Sequence, residues 1–427
     1  MTRSSPRPAT AGRPGRLEMR RTRTLSIFEG MTARSIFNLT SGAFLAGYAR
    51  LLGADDGTAG LLGAVPILAG MASLVSPIVL ERLHRRKPLI VWFNFLGRLG
   101  LAFPVALPWI ARTDGARLTW LVVSYLVANL LLMFLSPAAS AWVVDFTPVR
   151  VRARYFARRE AWVIGTATLA SVALSVVLDW RKGAGDAASG FAILFATVLA
   201  LSFVNSSFLV RMKEVPKEGP LHPPRLRDPL VLPFADPRYR RLLAVVLLWS
   251  FGYQTALPFT SVYLVSGLGL DYVVATAFAA GTALASVLAA RMWGRMADRT
   301  SWIALMRWMV LLQAISCVFW FFTDRSTMAF TLPFAALATG GMISGMNISL
   351  LNLQYDYAPE RNRTVYIGTL TAVNGVAGFA GALFGAAVLR AIGDGGIRWV
   401  FLLSAVLLVA AAGASALFFK KGTEAAP

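Results

Sequence analysis

Apolar residues in this chain come in long, nearly unbroken runs, not at the three- and four-residue intervals of a half-buried helix. Twelve runs recur, at roughly 25–51, 58–80, 88–110, 118–143, 158–179, 189–210, 242–266, 272–293, 302–323, 327–354, 365–390 and 397–419. Many hold about 18 or more residues with few charges, and at ~1.5 Å rise per residue such a helix crosses a hydrocarbon core of ~30 Å. Lipid offers no partner to a free backbone amide, so segments this apolar are expected to be α-helical. A barrel would need shorter segments of alternating polarity. The expected fold class is therefore an all-α integral membrane protein with twelve transmembrane helices. Composition agrees: 56% of the 427 residues are hydrophobic, and the mean hydropathy of +0.61 exceeds that of soluble domains.

The polar stretches between the runs carry a repeat. Asp145, Phe146, Pro148, Arg150, Arg152 and Tyr155 recur 211 residues later as Asp356, Tyr357, Pro359, Arg361, Arg363 and Tyr366. A second register aligns Ala72-Ser73 through Arg86 with Ala285-Ser286 through Arg299. Six predicted spans separate the two copies, and an even number returns the chain to the same side. The halves are thus two parallel six-helix repeats. The expected organisation is a basic tail (1–24), a six-helix half (25–211), a Pro- and charge-rich linker (212–240), a second six-helix half (241–420) and a short tail (421–427).

Charge decides the orientation and excludes one class of partner. The net charge is +21, and 31 of the 42 Lys and Arg residues fall in the tails and loops on the side of the termini. That asymmetry follows the positive-inside rule, so both termini are expected in the cytoplasm. Arg far outnumbers Lys and Ala and Gly abound, which points to a GC-rich bacterium and so to a bacterial cytoplasmic membrane. No nucleic-acid partner is expected, because the basic residues are spread over seven separate loops and tails; the expected surroundings are the lipid bilayer. Glu29, Arg34 and Asn38 interrupt the first run, which reads as an uncleaved helix and not a signal peptide. Cys317 is the single cysteine, and the two histidines, His84 and His222, fall in loops. No Gly-x-Ser-x-Gly, Walker or HExxH pattern occurs. No catalytic residue, metal site or cofactor is expected, and an enzyme is disfavoured.

Twelve spans arranged as six plus six, with a central loop, resemble the major facilitator superfamily. The loop Gly294-Arg295-Met296-Ala297-Asp298-Arg299 resembles that family's G-x-L-A-D-R motif, while its counterpart Glu81–Lys87 is degenerate. Asp145-x6-Arg152 and Asp356-x6-Arg363 are similar to the E-x6-R motif of sugar porters. The fourth and fifth spans depart from proton-driven drug exporters, lacking their Arg-x-x-x-Gly and G-x-x-x-G-P patterns. The resemblance covers about residues 25–420 and implies a secondary active or facilitative transporter of a small organic solute, working by alternating access. A non-transporting sensor or partner-binding member is the alternative, and the expected oligomeric state is monomeric.

In the family, spans one, four, seven and ten line the cavity, which makes Arg34, Asn38, Asn129, Tyr253, Gln254, Asn347 and Asn352 the substrate-binding candidates. Amides and hydroxyls in a span also serve as contacts between helices. Intramembrane charge is the sharper signal. Arg34 is read either as the seat of an anionic solute or as the partner of Glu29 or another acid, and Arg98 as an internal structural contact. Aromatics of the seventh span, Trp249, Phe251, Tyr253, Phe259 and Tyr263, could stack on a solute or simply pack. For a coupling ion such as the proton, Glu29 is the protonation candidate. Gating at the cytoplasmic ends is assigned to Asp145, Arg152, Asp356, Arg363, Gly294, Asp298 and Arg299, with static anchoring and capping as the alternative. Small residues such as Gly281, Ala285, Gly381 and Gly385 predict close helix approach, consistent with an interface that slides between the halves.

Overall fold

The computed structural model describes residues 15–419 other than 81, 82, 84, 215–226, 360–362 and 394; at a few helical positions, Asp145, Arg152 and Asp298 among them, the description covers the backbone alone. The first predicted span is two helices, α1 (Arg16–Leu39) and α2 (Gly42–Leu51). They are separated at Thr40-Ser41, where Gly42 turns the chain with φ of 58°. A residue with a β-carbon would pay about 1 kcal/mol or more for that left-handed geometry. The second span is α3 (Asp56–Ala69) and α4 (Ala72–Leu80), and the third is α5 (Lys87–Ala102), a 3₁₀ turn at Phe103–Ala106 and α6 (Leu107–Ile110). Then follow α7 (Asp114–Asp145), α8 (Val149–Gly183) and α9 (Ala187–Arg211). The second half comprises α10 (Asp228–Ala235), α11 (Pro237–Val262), which continues as a π turn to Gly267, and α12 (Tyr272–Arg299). It ends with α13 (Trp302–Phe322), α14 (Met328–Tyr357), α15 (Arg363–Ile392) and α16 (Gly396–Phe418).

Among the described residues, 11 helical segments are long and apolar enough to cross a membrane. The first crossing, α1 with α2, falls short of that measure because Glu29 and Arg34 sit within it and the helix breaks at Thr40. Large apolar side chains cover the outer faces, including Leu169, Leu284, Leu288, Phe330 and Val406, as lipid contact requires. Exposed tryptophans cluster near helix ends, Trp92 and Trp308 on the side of the termini, Trp109, Trp180 and Trp399 on the other. Their amphipathic rings suit the membrane–water boundary.

Two local arrangements differ from expectation. The linker is not wholly solvated: α10 packs on α15, with Thr369 donating to the Pro229 carbonyl at 2.7 Å and Tyr366 donating to the Leu232 carbonyl at 3.2 Å. The small-residue ladder also lies elsewhere than the seam between the halves. Gly381 and Gly385 press against the backbone carbonyls of Phe251 and Thr255 on α11, and Gly340 against Thr282 and Ala285 on α12, all within one half. Gly281 faces open space. Across the seam, Gly375 and Gly378 of α15 meet Ile67 of α3, and Gly60 and Gly63 of α3 meet Phe259 and Pro258 of α11.

Candidate functional site

A cavity of about 430 Å³ lies between the halves, walled by α1, α2, α3, α8, α11, α12, α13, α14 and α16. Its polar wall includes Arg34, Asn38, Ser41, Thr168, Ser171, Gln254, Ser261, Thr276, Gln313 and Thr339, and Phe44, Phe278, Trp320 and Phe401 supply aromatic surface. The break in α1–α2 makes part of this wall, since Ser41 and Gly42 lie in it. Pro258 lines the cavity too, at a place where α11 lacks one backbone donor.

Three of the seven binding candidates meet here: Arg34, Asn38 and Gln254. Asn347 is exposed one turn beyond Ile343, on the same stripe of α14 as Thr339 and Ile343. Asn129 and Asn352 instead turn back on their own helices, donating to the Tyr125 and Ile348 carbonyls at 2.8 Å each. Tyr253 stacks on Trp249 with ring centroids 5.6 Å apart, and Phe259 is wholly buried. The seventh-span aromatics are packing residues. The fourth span, α7, was expected to line the cavity and gives no residue to its described wall, while α3, α8, α12, α13 and α16, not anticipated from sequence, all do. Gln313, alone as an amide in an apolar span, was the available signal; Thr168, Thr276 and Thr339 resemble ordinary intrahelical hydroxyls.

Arg34 does not pair with Glu29. It is exposed to the cavity, and its guanidinium lies 5.7 Å from the Phe37 ring centre. No ion pair reaches it among the described residues. Glu29 is taken by other partners: Arg98 at 3.7 Å and Arg159 at 3.6 Å. Asn205 donates to the Glu29 carbonyl at 2.9 Å and to Thr32 at 2.8 Å, and accepts from Asn94 at 3.0 Å. Asn94 in turn accepts from Arg98 at 3.0 Å. The cluster ties α1, α5, α8 and α9 together inside one half, away from the cavity wall, and confirms Arg98 as an internal contact. Arg307, near the start of α13, donates to the Ser415 carbonyl of α16 at 3.4 Å.

Polar contacts join the halves at the end opposite the termini. The Asp179 carboxylate accepts from the Tyr272 and Val273 amides at 2.9 and 2.8 Å, capping α12 across the seam. An anion at a helix N-terminus meets both unpaired donors and a favourable dipole. Lys182 lies over the Tyr272 ring at 5.7 Å, and Phe44 stacks on that ring from the first half. Nearby, Arg390 donates to Asp55 and Thr58 at 3.1 Å each. Partial burial pushes the Asp55 carboxyl up, but hydrogen bonds from Arg390 and Thr58 outweigh it and hold it at about 2, below the ordinary 3.8. A depressed carboxyl contributes above its ordinary value and loses that contribution only as pH falls through about 2. The Asp55 carboxylate therefore stays ionised through the neutral range. Within the halves, α1 packs on α8 and α9, and α14 on α12 and α13, while α15 crosses the seam to α3 and α4.

Of the gating candidates, the Asp145, Arg152 and Asp298 side chains lie outside the described residues. Asp356 and Arg299 are exposed, Gly294 faces open space, and Arg363 lies over the Tyr355 ring at 5.1 Å. The motif tyrosines have matching roles. Tyr155 donates to the Arg23 carbonyl at 3.1 Å, and Tyr366 to the Leu232 carbonyl at 3.2 Å. Each fastens the helix after the motif to the segment that leads into its own half, a structural role the sequence pattern did not disclose.

The sequence matches the family description Major Facilitator Superfamily over residues 27–382 and 279–427. No curated protein matches it. Among solved structures, a substituted form of the nucleoside transporter NupG superposes with a TM-score of 0.73 at 16% identity, covering 94% of this chain and 100% of the other. A bacterial homolog of the human lysosomal transporter Spinster, inward-facing and occupied, gives 0.67 at 16% identity over 97% and 99%. A bacterial homologue of the iron transporter ferroportin, inward-facing, gives 0.68 at 12% identity over 95% and 99%. Identities this low carry the fold alone.

Proposed function

The chain belongs to the major facilitator superfamily, and from that premise we propose that it carries a small organic solute across the membrane by alternating access, with the present state open toward the cytoplasm. The observation that carries this reading is where the described polar ties across the seam lie. The cavity lies between the halves, and the polar ties across them, Asp179 with the start of α12 and Arg390 with Asp55, sit at the end away from the termini. A carrier needs two packings of nearly equal energy that a few such contacts can bias. With the basic loops assigned to the cytoplasm, that closed end is the outer gate. The cytoplasmic motifs, Asp356 and Arg363 among them, would then belong to the opposite closure. Glu29 is assigned to the internal cluster and not to proton coupling; among the described residues no carboxylate lines the cavity.

Thiol labelling tests the proposal. In a Cys317→Ser background, a cysteine at Ser261 in the cavity wall is expected to react with an impermeant reagent from the cytoplasmic face and, more slowly, from the outer face. Reaction from one face only, under every condition, would replace the carrier by a receptor-like protein.

A further inference from the structure

The cavity carries a charge signature that the fold does not supply. Arg34 is the one charged side chain on its described wall, and no carboxylate there opposes it. An arginine at membrane depth normally faces a partner or water; Arg34 has no carboxylate partner among the described residues and opens onto the cavity. At the wall formed by the other half, Gln254 and Gln313 are 6% and 5% exposed, and the Oε1 atom of each lacks a hydrogen-bond partner. A buried amide oxygen left unmet costs on the order of 1–3 kcal/mol, a cost that a donor on a bound solute would offset. Between these polar positions the surface is aromatic, from Phe278, Trp320 and Phe401.

We infer that the solute is a monoanionic organic carboxylate with an aromatic or otherwise apolar body and a hydrogen-bond donor, its carboxylate on Arg34 and its donor toward Gln254 and Gln313. The inference rests on the carrier reading and sharpens it to a substrate class. Charge selects among the candidates. A guanidinium pairs a carboxylate through two parallel hydrogen bonds. One positive charge balances one negative charge, whereas a phosphate monoester brings about −1.5 to −2 and would leave the site negative. A cationic amine meets repulsion and no counterion. Arg34 thus acts as the residue that determines specificity, and it joins the two halves through the solute: anion on α1, donor on α11 and α13.

A trio on one indole scaffold separates charge from fit, the acetate and acetamide being isosteric and the amine one heavy atom smaller: indole-3-acetate, indole-3-acetamide and tryptamine, negative, neutral and positive, each with the indole N–H. Isothermal titration and thermal shift on the purified full chain are expected to show the acetate binding most tightly and tryptamine not at all. Truncating a desolvated charge pair costs roughly 2–5 kcal/mol, so Arg34→Gln should weaken the acetate by about 30-fold or more. Arg34→Lys should restore part of the loss. Arg34 is exposed, so both variants should melt as the parent does without ligand. Gln254→Leu should weaken the acetate and leave its preference over tryptamine intact.

Equal affinity for acetate and amide, tighter binding of tryptamine, an acetate affinity unchanged in Arg34→Gln, or no binding of the acetate would each overturn the assignment. Tighter binding of phenyl phosphate than of phenylacetate would overturn the single-charge argument. None of these results touches the two-sided labelling at Ser261, which reads the carrier proposal by itself.

Discussion

Glu29→Gln is expected to destabilise the protein severely, with purified material losing several degrees or more of melting temperature and extracting poorly from membranes. The carboxylate stands between Arg98 and Arg159 at 3.7 and 3.6 Å, and all three side chains are largely buried. Removing one member of a buried ion cluster leaves charge without compensation, a loss of about 3–5 kcal/mol. Asn94, Asn205 and Thr32 extend the cluster, so the damage spreads to four helices through their hydrogen bonds. Glu29→Asp, which keeps the charge on a shorter stem, should fall between the two. The readout separates a strut from a proton carrier. A Glu29→Gln protein that melts like the parent but loses a response to a pH gradient would return Glu29 to ion coupling.

Asp179→Ala has the second large effect, on conformation and not on folding. The residue belongs to α8, yet its carboxylate caps the first turn of α12 in the other half. Hydrogen bonds to a charged group contribute about 1.5–3 kcal/mol, with a smaller term from the helix dipole. Under the proposed alternating access the cap is given up when the outer end opens, so its loss should move the equilibrium toward the outward-open state by roughly 10- to 150-fold. Labelling of a cysteine at Ser261 from the outer face should quicken accordingly, and labelling from the cytoplasmic face should slow. An unchanged ratio of the two rates would mean that Asp179 holds α12 without holding the gate.

Much of the fold was legible because lipid imposes a single rule on every span. The apolar runs marked most helices within a few residues, though α1 and α8 each begin nine residues earlier in polar sequence, and the Asp145 and Asp356 motifs marked the duplication. The first span was harder: its break at Thr40-Ser41 depends on one positive φ at Gly42, which no hydropathy pattern shows. The site was legible only in part. Arg34 and Gln254 stood out because charge and amide groups are rare in apolar runs. Asn129 and Asn352 look the same in sequence yet satisfy themselves on their own helices. Glu29 and Arg34 are five residues apart, and only packing reveals that the first is enclosed by arginines from α5 and α8 while the second opens to the cavity. The outer ties were unreadable, because Asp179 and Tyr272 meet from different halves with no motif at either.

The central claim is that the two ends of the molecule open in alternation. Spin-label distances measure this directly in a Cys317→Ser background. One pair, at Leu51 and Ile392, reports the outer end; another, at Arg154 and Leu351, reports the cytoplasmic end, and all four positions are exposed. Each pair is expected to show two distances, and Asp179→Ala should raise the long population of the outer pair together with the short population of the cytoplasmic pair. A single unchanging distance at both ends, or both ends lengthening together, would contradict alternating access.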